Sequence, residues 1–209
     1  MSEAIEAIMR AAPVIPVLVI DDPAYAEPIA RALVAGGLRV LEVTLRTAAA
    51  LEVIAEMKRV PGAIVGAGTV LDPAQLDAAL KAGAEFVVAP GLTERLGHAA
   101  IASRVPFLPG IATAGDIMRG LDLGLTRFKF FPAMASGGLP ALKALAAPFG
   151  QCRFCPTGGI TEATAPEWLA FEPVLCVGGS WVVGPSVDGG PPDPVAIEAS
   201  ARAAAALAR

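Results

Sequence analysis

The chain has 209 residues, 55% of them hydrophobic but only 5% aromatic, and carries a formal net charge of −4. That length suits one domain over 1–209 with a sizeable core, and the acidic balance argues against a nucleic acid or an anionic membrane as partner. No apolar stretch is long enough to cross a bilayer, and the start Met1-Ser2-Glu3-Ala4-Ile5-Glu6 is acidic where a secretory signal is basic, so a cytoplasmic protein is expected.

An amphipathic helix is predicted from Ser2 to Ala12. After it, short runs rich in Val, Ile, Leu and Phe alternate with Ala-rich helical patterns. The first units are strand Val14 to Ile20 with helix Ala24 to Ala35, strand Val40 to Leu45 with helix Ala48 to Lys58, and strand Ile64 to Gly68 with helix Pro73 to Ala82. Asp72-Pro73, with Gln75 following, has the form of a helix start, and Gly36-Gly37, Gly83 and Gly124 fall where helix C-caps belong. Strand Phe86 to Ala89 leads to helix Thr93 to Ser103, strand Pro106 to Leu108 to helix Ala114 to Leu123, and strand Arg127 to Phe131 to helix Leu139 to Ala147. Strand Arg153 to Pro156 with helix Ala163 to Leu169, and strand Leu175 to Val177, complete the series. A Gly/Pro-rich surface loop between Gly184 and Pro194 precedes a closing helix, Val195 to Ala206.

Repeated strand-helix units with near-continuous apolar strands imply a parallel sheet with right-handed crossovers. Eight candidate strands point to a closed (β/α)8 TIM barrel with an extra N-terminal helix. An open doubly wound sheet is the alternative, but Asp21-Asp22-Pro23 follows the first strand where its glycine fingerprint belongs. Gly66-Ala67-Gly68 lacks the third glycine of that fingerprint.

Lys129 stands inside the apolar run Arg127-Phe128-Lys129-Phe130-Phe131-Pro132, whereas Lys58, Lys81 and Lys143 fall in helical patterns with solvated surroundings. An ammonium buried without a partner costs several kcal/mol, so a lysine in such a run is a candidate amine nucleophile for a carbonyl substrate. Snorkelling from a strand end, or pairing with a carboxylate, is the structural alternative. Strand alternation puts Glu42, Thr44 and Arg46 on one face, and Lys129 and Phe131 on the corresponding face of their strand, toward the barrel interior. An internal Glu42 to Arg46 ion pair is the competing explanation for the first set. Thr69 and Pro90-Gly91 end the third and fourth strands, where turn chemistry alone accounts for them.

The last two strands end in Thr157-Gly158-Gly159-Ile160 and Gly178-Gly179-Ser180-Trp181. Glycines in the loops after strands seven and eight expose backbone N–H groups where barrels hold phosphate, and the Thr157 and Ser180 hydroxyls can complete the cradle. His98, the single histidine, lies in a helical pattern, so histidine-based nucleophilic mechanisms lack a base. No metal-ligand set is evident, and neither a metal nor another cofactor is expected. Cys152, Cys155 and Cys176 are read as reduced core thiols, and Trp168 and Trp181 as packing residues.

Five segments together resemble the 2-keto-3-deoxy-6-phosphogluconate aldolases: Leu41 to Thr47, Val65 to Val70, Phe128 to Ala133, Arg153 to Ile160, and Gly178 to Trp181. The resemblance implies a (β/α)8 barrel, a homotrimer and metal-free Schiff-base chemistry. It implies that Lys129 forms the Schiff base and Glu42 moves protons, with Arg46 and Thr69 on the pyruvoyl carboxylate and Phe131 and Pro90 packing beside it. Thr157, Gly158, Gly159, Gly178, Gly179 and Ser180 are then implied to hold the distal, phosphorylated end of the keto-acid substrate. The chain departs from the family pattern at Ala89 and Ala112, where serine is frequent, and at Met134, where glutamate is frequent. Cleavage of 4-hydroxy-2-oxoglutarate or of 2-keto-3-deoxy-6-phosphogalactonate needs the same residues. A barrel that isomerises or binds a sugar phosphate without covalent catalysis is the alternative from another class.

Overall fold

The computed structural model describes residues 2–184 and 191–208. The expected loop between Gly184 and Pro194 therefore lies mostly outside the described residues. Nine strands are present among them: β1 (Val14–Leu18), β2 (Val40–Thr44), β3 (Ile64–Gly68), β4 (Phe86–Val88), β5 (Phe107–Leu108), β6 (Gly110–Ile111), β7 (Arg127–Phe130), β8 (Arg153–Pro156) and β9 (Val177–Gly179). The helices are α1 (Ser2–Arg10), α2 (Ala26–Ala35), α3 (Ala50–Met57), α4 (Pro73–Lys81), α5 (Glu94–Ser103), α6 (Ala114–Asp122), α7 (Gly138–Ala146), α8 (Ala165–Leu169) and α9 (Pro194–Ala205). A short 3-10 turn, Pro23–Tyr25, leads into α2.

The strands are parallel and run β5-β4-β3-β2-β1-β9 in one sheet and β6-β7-β8 in another. Both seams between them are bridged. Pro109 separates β5 from β6 and has no amide hydrogen for the ladder, so one barrel strand is divided in two; its carbonyl still accepts from Lys129 N at 2.8 Å. On the other side, the bridges Phe154 to Val174 and Thr157 to Gly178 join β8 to the last strand. The result is the expected (β/α)8 barrel.

Several strand ends fall one or two residues from expectation, and two differences change how the barrel closes. The fifth strand resumes beyond Pro109 as Gly110–Ile111. The last strand is Val177–Gly179 rather than Leu175 to Val177, because Leu175 N donates to Phe154 O on one neighbour while Val177 N donates to Pro13 O on the other. Glycines carry little strand propensity, so Gly178-Gly179 resembles a turn in sequence although it pairs with β1.

Helix starts follow local chemistry. Asp72 accepts from Gln75 N at 2.9 Å ahead of Pro73, and Thr113 with Asp116 forms a reciprocal capping box on α6. Two apolar layers result, one between the strands and the helices, the other inside the barrel around Val40, Phe86, Val88 and Leu108. Ile5 and Met9 of α1 pack into the inner layer and plug the N-terminal end. Glu6 fastens this plug, accepting from Arg10 and from Arg127 at the start of β7, both at 2.7 Å. The Arg10 and Arg127 guanidiniums hold the Glu6 carboxyl below its usual range. Its contribution to stability is thus full above its unfolded-state pKa and lost as pH falls through the lower folded value.

With one end filled by hydrocarbon, the buried polar or charged side chains among the described residues are Glu42, Thr44, Lys129 and Thr157. They stand on β2, β7 and just past β8, toward the C-terminal mouth. No described helix is long and apolar enough to cross a membrane.

Candidate active site

β2 is buried along its whole length, so alternation decides which side chains enter the barrel. Leu41 and Val43 join the outer layer and Val40 the inner one, which turns Glu42 and Thr44 inward. On β7, Phe128 and Phe130 pack outward, and Lys129 points into the cavity opposite Gly110 and Cys155. Lys129 Nζ donates to Glu42 Oε1 at 3.0 Å, with side-chain exposures of 7% and 4%. The ammonium also lies over the Phe131 ring, whose centroid is 5.3 Å from Nζ.

Glu42 therefore pairs with Lys129, not with Arg46, which overturns the competing Glu42 to Arg46 pairing. Arg46 is exposed at the mouth. Its loop is pinned on both sides: Thr44 Oγ1 donates to Leu18 O at 2.9 Å, Thr47 Oγ1 to Ile20 O at 2.8 Å, and Leu45 N to Gly68 O at 2.8 Å. These contacts also explain why β1 ends at Leu18, since hydroxyls take up carbonyls that a longer ladder would have used.

Half-buried Thr69 follows β3 with φ of 57°, a left-handed conformation that costs a non-glycine residue about 1–2 kcal/mol. Pro90 follows β4, and its carbonyl occupies the space where a side chain on Gly110 would point. Thr157 lies over Gly178, and the bridge between them brings the loops after β8 and β9 together. Gly158 and Gly159 have φ of 105° and 79°, a turn that L side chains resist. That turn is tied to the segment after β7 by Ala133 N to Thr157 O at 2.8 Å and Met134 N to Gly158 O at 3.1 Å. Gly179 makes room for the Trp181 ring, and Ser180 is exposed beside it.

Lys129 thus meets both Glu42 and Phe131, while Arg46, Thr69, Pro90 and the two glycine loops ring the same end of the barrel. Among the described residues no group of three or more His, Cys, Asp or Glu side chains is placed to hold a metal ion. Cys152, Cys155 and Cys176 are free and buried, and His98 is exposed on α5. Two supporting features escaped the sequence reading. The hydroxyl anchors of Thr44 and Thr47 need partners on another strand. The closeness of Gly68 to Glu42 needs the register of β3 against β2. An ammonium and a carboxylate in contact within an apolar barrel can exchange a proton and leave a free amine for carbonyl addition.

Residues 5–192 match the family model for KDPG and KHG aldolase. The 2-dehydro-3-deoxy-phosphogluconate aldolase of Zymomonas mobilis is 61% identical over 205 residues, covering 98% of this chain and 97% of that protein. The solved 2-keto-3-deoxy-6-phosphogluconate aldolase of Zymomonas mobilis ZM4 with 3-phosphoglycerate superposes with a TM-score of 0.96 at 60% identity, covering 100% of this chain and 98% of the other. A KDPG aldolase from Legionella pneumophila, with pyruvate captured as a covalent carbinolamine intermediate, superposes with a TM-score of 0.92 at 43% identity, covering 97% and 98%. The similarity runs well past the last recognisable sequence motif, and together with the shared barrel it establishes that the chain belongs to the KDPG and KHG aldolase family.

Proposed function

We propose that the protein is a class I, metal-independent aldolase that cleaves 2-keto-3-deoxy-6-phosphogluconate to pyruvate and glyceraldehyde 3-phosphate through a Schiff base on Lys129. The observation that carries this assignment is the 3.0 Å contact of Lys129 Nζ with Glu42 Oε1 inside the barrel. Glu42 takes a proton from the ammonium, and the free amine adds to the C2 carbonyl to give a carbinolamine. Glu42 passes that proton to the carbinolamine hydroxyl, which departs as water and leaves an iminium with Glu42 again able to act as a base. Removal of the C4 hydroxyl proton then breaks the C3–C4 bond, whose electrons flow into the iminium to form an enamine as the aldehyde departs. Glu42, directly or through water, accepts that proton and returns one to C3. Hydrolysis of the iminium frees pyruvate and regenerates the lysine.

Arg46 and Thr69 bind the keto-acid carboxylate, with Phe131 and Pro90 packing against the pyruvoyl group. Thr157, Gly158, Gly159, Gly178, Gly179 and Ser180 hold the phosphate. The active assembly is a homotrimer in the cytoplasm, consistent with the family. 4-Hydroxy-2-oxoglutarate is the second substrate to test, since the family model spans aldolases of both kinds.

Borohydride added with pyruvate should inactivate the protein and add mass to the peptide carrying Lys129. Label on Lys58, Lys81 or Lys143 instead rejects the assignment. Glu42→Gln keeps the shape and loses the proton carrier, so turnover should fall about a hundredfold or more, with trapping at Lys129 slowed less. Unaltered turnover makes Glu42 merely the lysine's partner. Thr69→Gly removes the backbone strain together with the hydroxyl, so melting should occur at an unchanged or higher temperature while KM rises about tenfold for one lost charge-assisted bond. A lower melting temperature with unchanged KM makes Thr69 a structural residue.

A further inference from the structure

We infer that Gly68 is a positioning residue for proton transfer: its missing side chain is the space in which the Glu42 carboxylate stands beside Lys129. This rests on Glu42 being the proton carrier. In the strand register Glu42 lies opposite Gly66, and Thr44 opposite Gly68. The Glu42 side chain therefore leans one pleat toward the mouth, across β3 and over Gly68. A Cβ built on Gly68 falls 2.7 Å from Glu42 Cγ and 2.9 Å from Cδ, and still closer to Oε1, which are distances that real atoms do not share.

Backbone freedom does not explain this glycine. Gly68 is absent from the left-handed positions, where Gly158 and Gly159 do occur. Gly66, two residues earlier, has its space filled by the Phe86 ring, so its role is apolar packing. At Gly68 the intruding group is a carboxyl side chain with 4% exposure that contacts Lys129. An alanine there leaves the strand dihedrals acceptable and meets mainly one flexible side chain. That side chain can swing aside, so the barrel survives and the 3.0 Å contact with Lys129 Nζ is what is lost.

The test is a double-mutant cycle of Gly68→Ala with Glu42→Ala, read by kcat, KM, borohydride trapping and melting temperature. Gly68→Ala alone should lower kcat about a hundredfold, the effect of a misplacement near 1 Å, while KM for the phosphorylated substrate stays nearly unchanged. In the Glu42→Ala background, where the space is free, adding Gly68→Ala should change residual kcat by less than about twofold and should not lower the melting temperature. Should Gly68→Ala alone fail to fold, a folded double variant supports the inference and an unfolded one overturns it. Full activity in Gly68→Ala, or equal losses in both backgrounds, also overturns it. Failure of the underlying assignment is separate, since it appears as unaltered turnover in Glu42→Gln.

Discussion

Lys129→Arg is expected to fold and to be inactive, with kcat down on the order of a millionfold, as when other covalent nucleophiles are removed. Arginine retains the positive charge opposite Glu42, so the buried pair persists, but a guanidinium stays protonated and does not add to the C2 carbonyl. Circular dichroism and the melting temperature check folding, and borohydride trapping with pyruvate checks the adduct. A folded variant that keeps more than about one part in a thousand of the activity would remove Lys129 from the mechanism. The non-covalent alternative, a barrel that isomerises or binds a sugar phosphate, predicts that result.

The second large effect concerns the phosphate. If the loops after β8 and β9 grip it through backbone donors, losing it removes several charge-assisted hydrogen bonds of about 1.5 to 3 kcal/mol each. The dephosphorylated six-carbon substrate should then lose two to three orders of magnitude or more in kcat/KM, and inorganic phosphate should compete weakly. Ser180, exposed after β9, offers a single hydroxyl. Ser180→Ala should therefore raise KM for the phosphorylated substrate about tenfold and barely change cleavage of 4-hydroxy-2-oxoglutarate, which has no phosphate. Equal efficiency with and without the phosphate would reduce both loops to turns and bring 4-hydroxy-2-oxoglutarate forward as the substrate.

Chelation provides a control with the opposite sign. Since the proposed steps run through Lys129 and Glu42, prolonged treatment with a chelator should leave cleavage unchanged. Loss of activity restored by a divalent ion would reject the Schiff-base route.

Much of this site is legible in the sequence because strand alternation is a local property. A period of two puts Lys129 on the face opposite Phe128 and Phe130, and Glu42 opposite Leu41 and Val43, whatever the rest of the chain does. Helix starts such as Asp72-Pro73 are equally local, because a capping side chain reaches only two or three residues ahead. The motif combination from Leu41 to Trp181 was sufficient to name the family.

Partners across the barrel are another matter. Lys129 and Glu42 are 87 residues apart, and alternation alone allowed Glu42 to pair with Arg46 on its own strand just as well. Ring closure decides between them, by carrying β7 to the far side of the same cavity while Arg46 rides out of the mouth on a loop pinned by Thr44 and Thr47. The shift of the last strand onto Gly178-Gly179 and the bare flank of Gly68 likewise follow from pairing between strands, whereas the break at Pro109 is local to the proline. Sequence alone determined which side chains of β2 and β7 face inward, because within a strand that depends on the residue's own backbone. Only the tertiary structure decided which of them touch, because a contact depends on curvature and register accumulated over all the strands between.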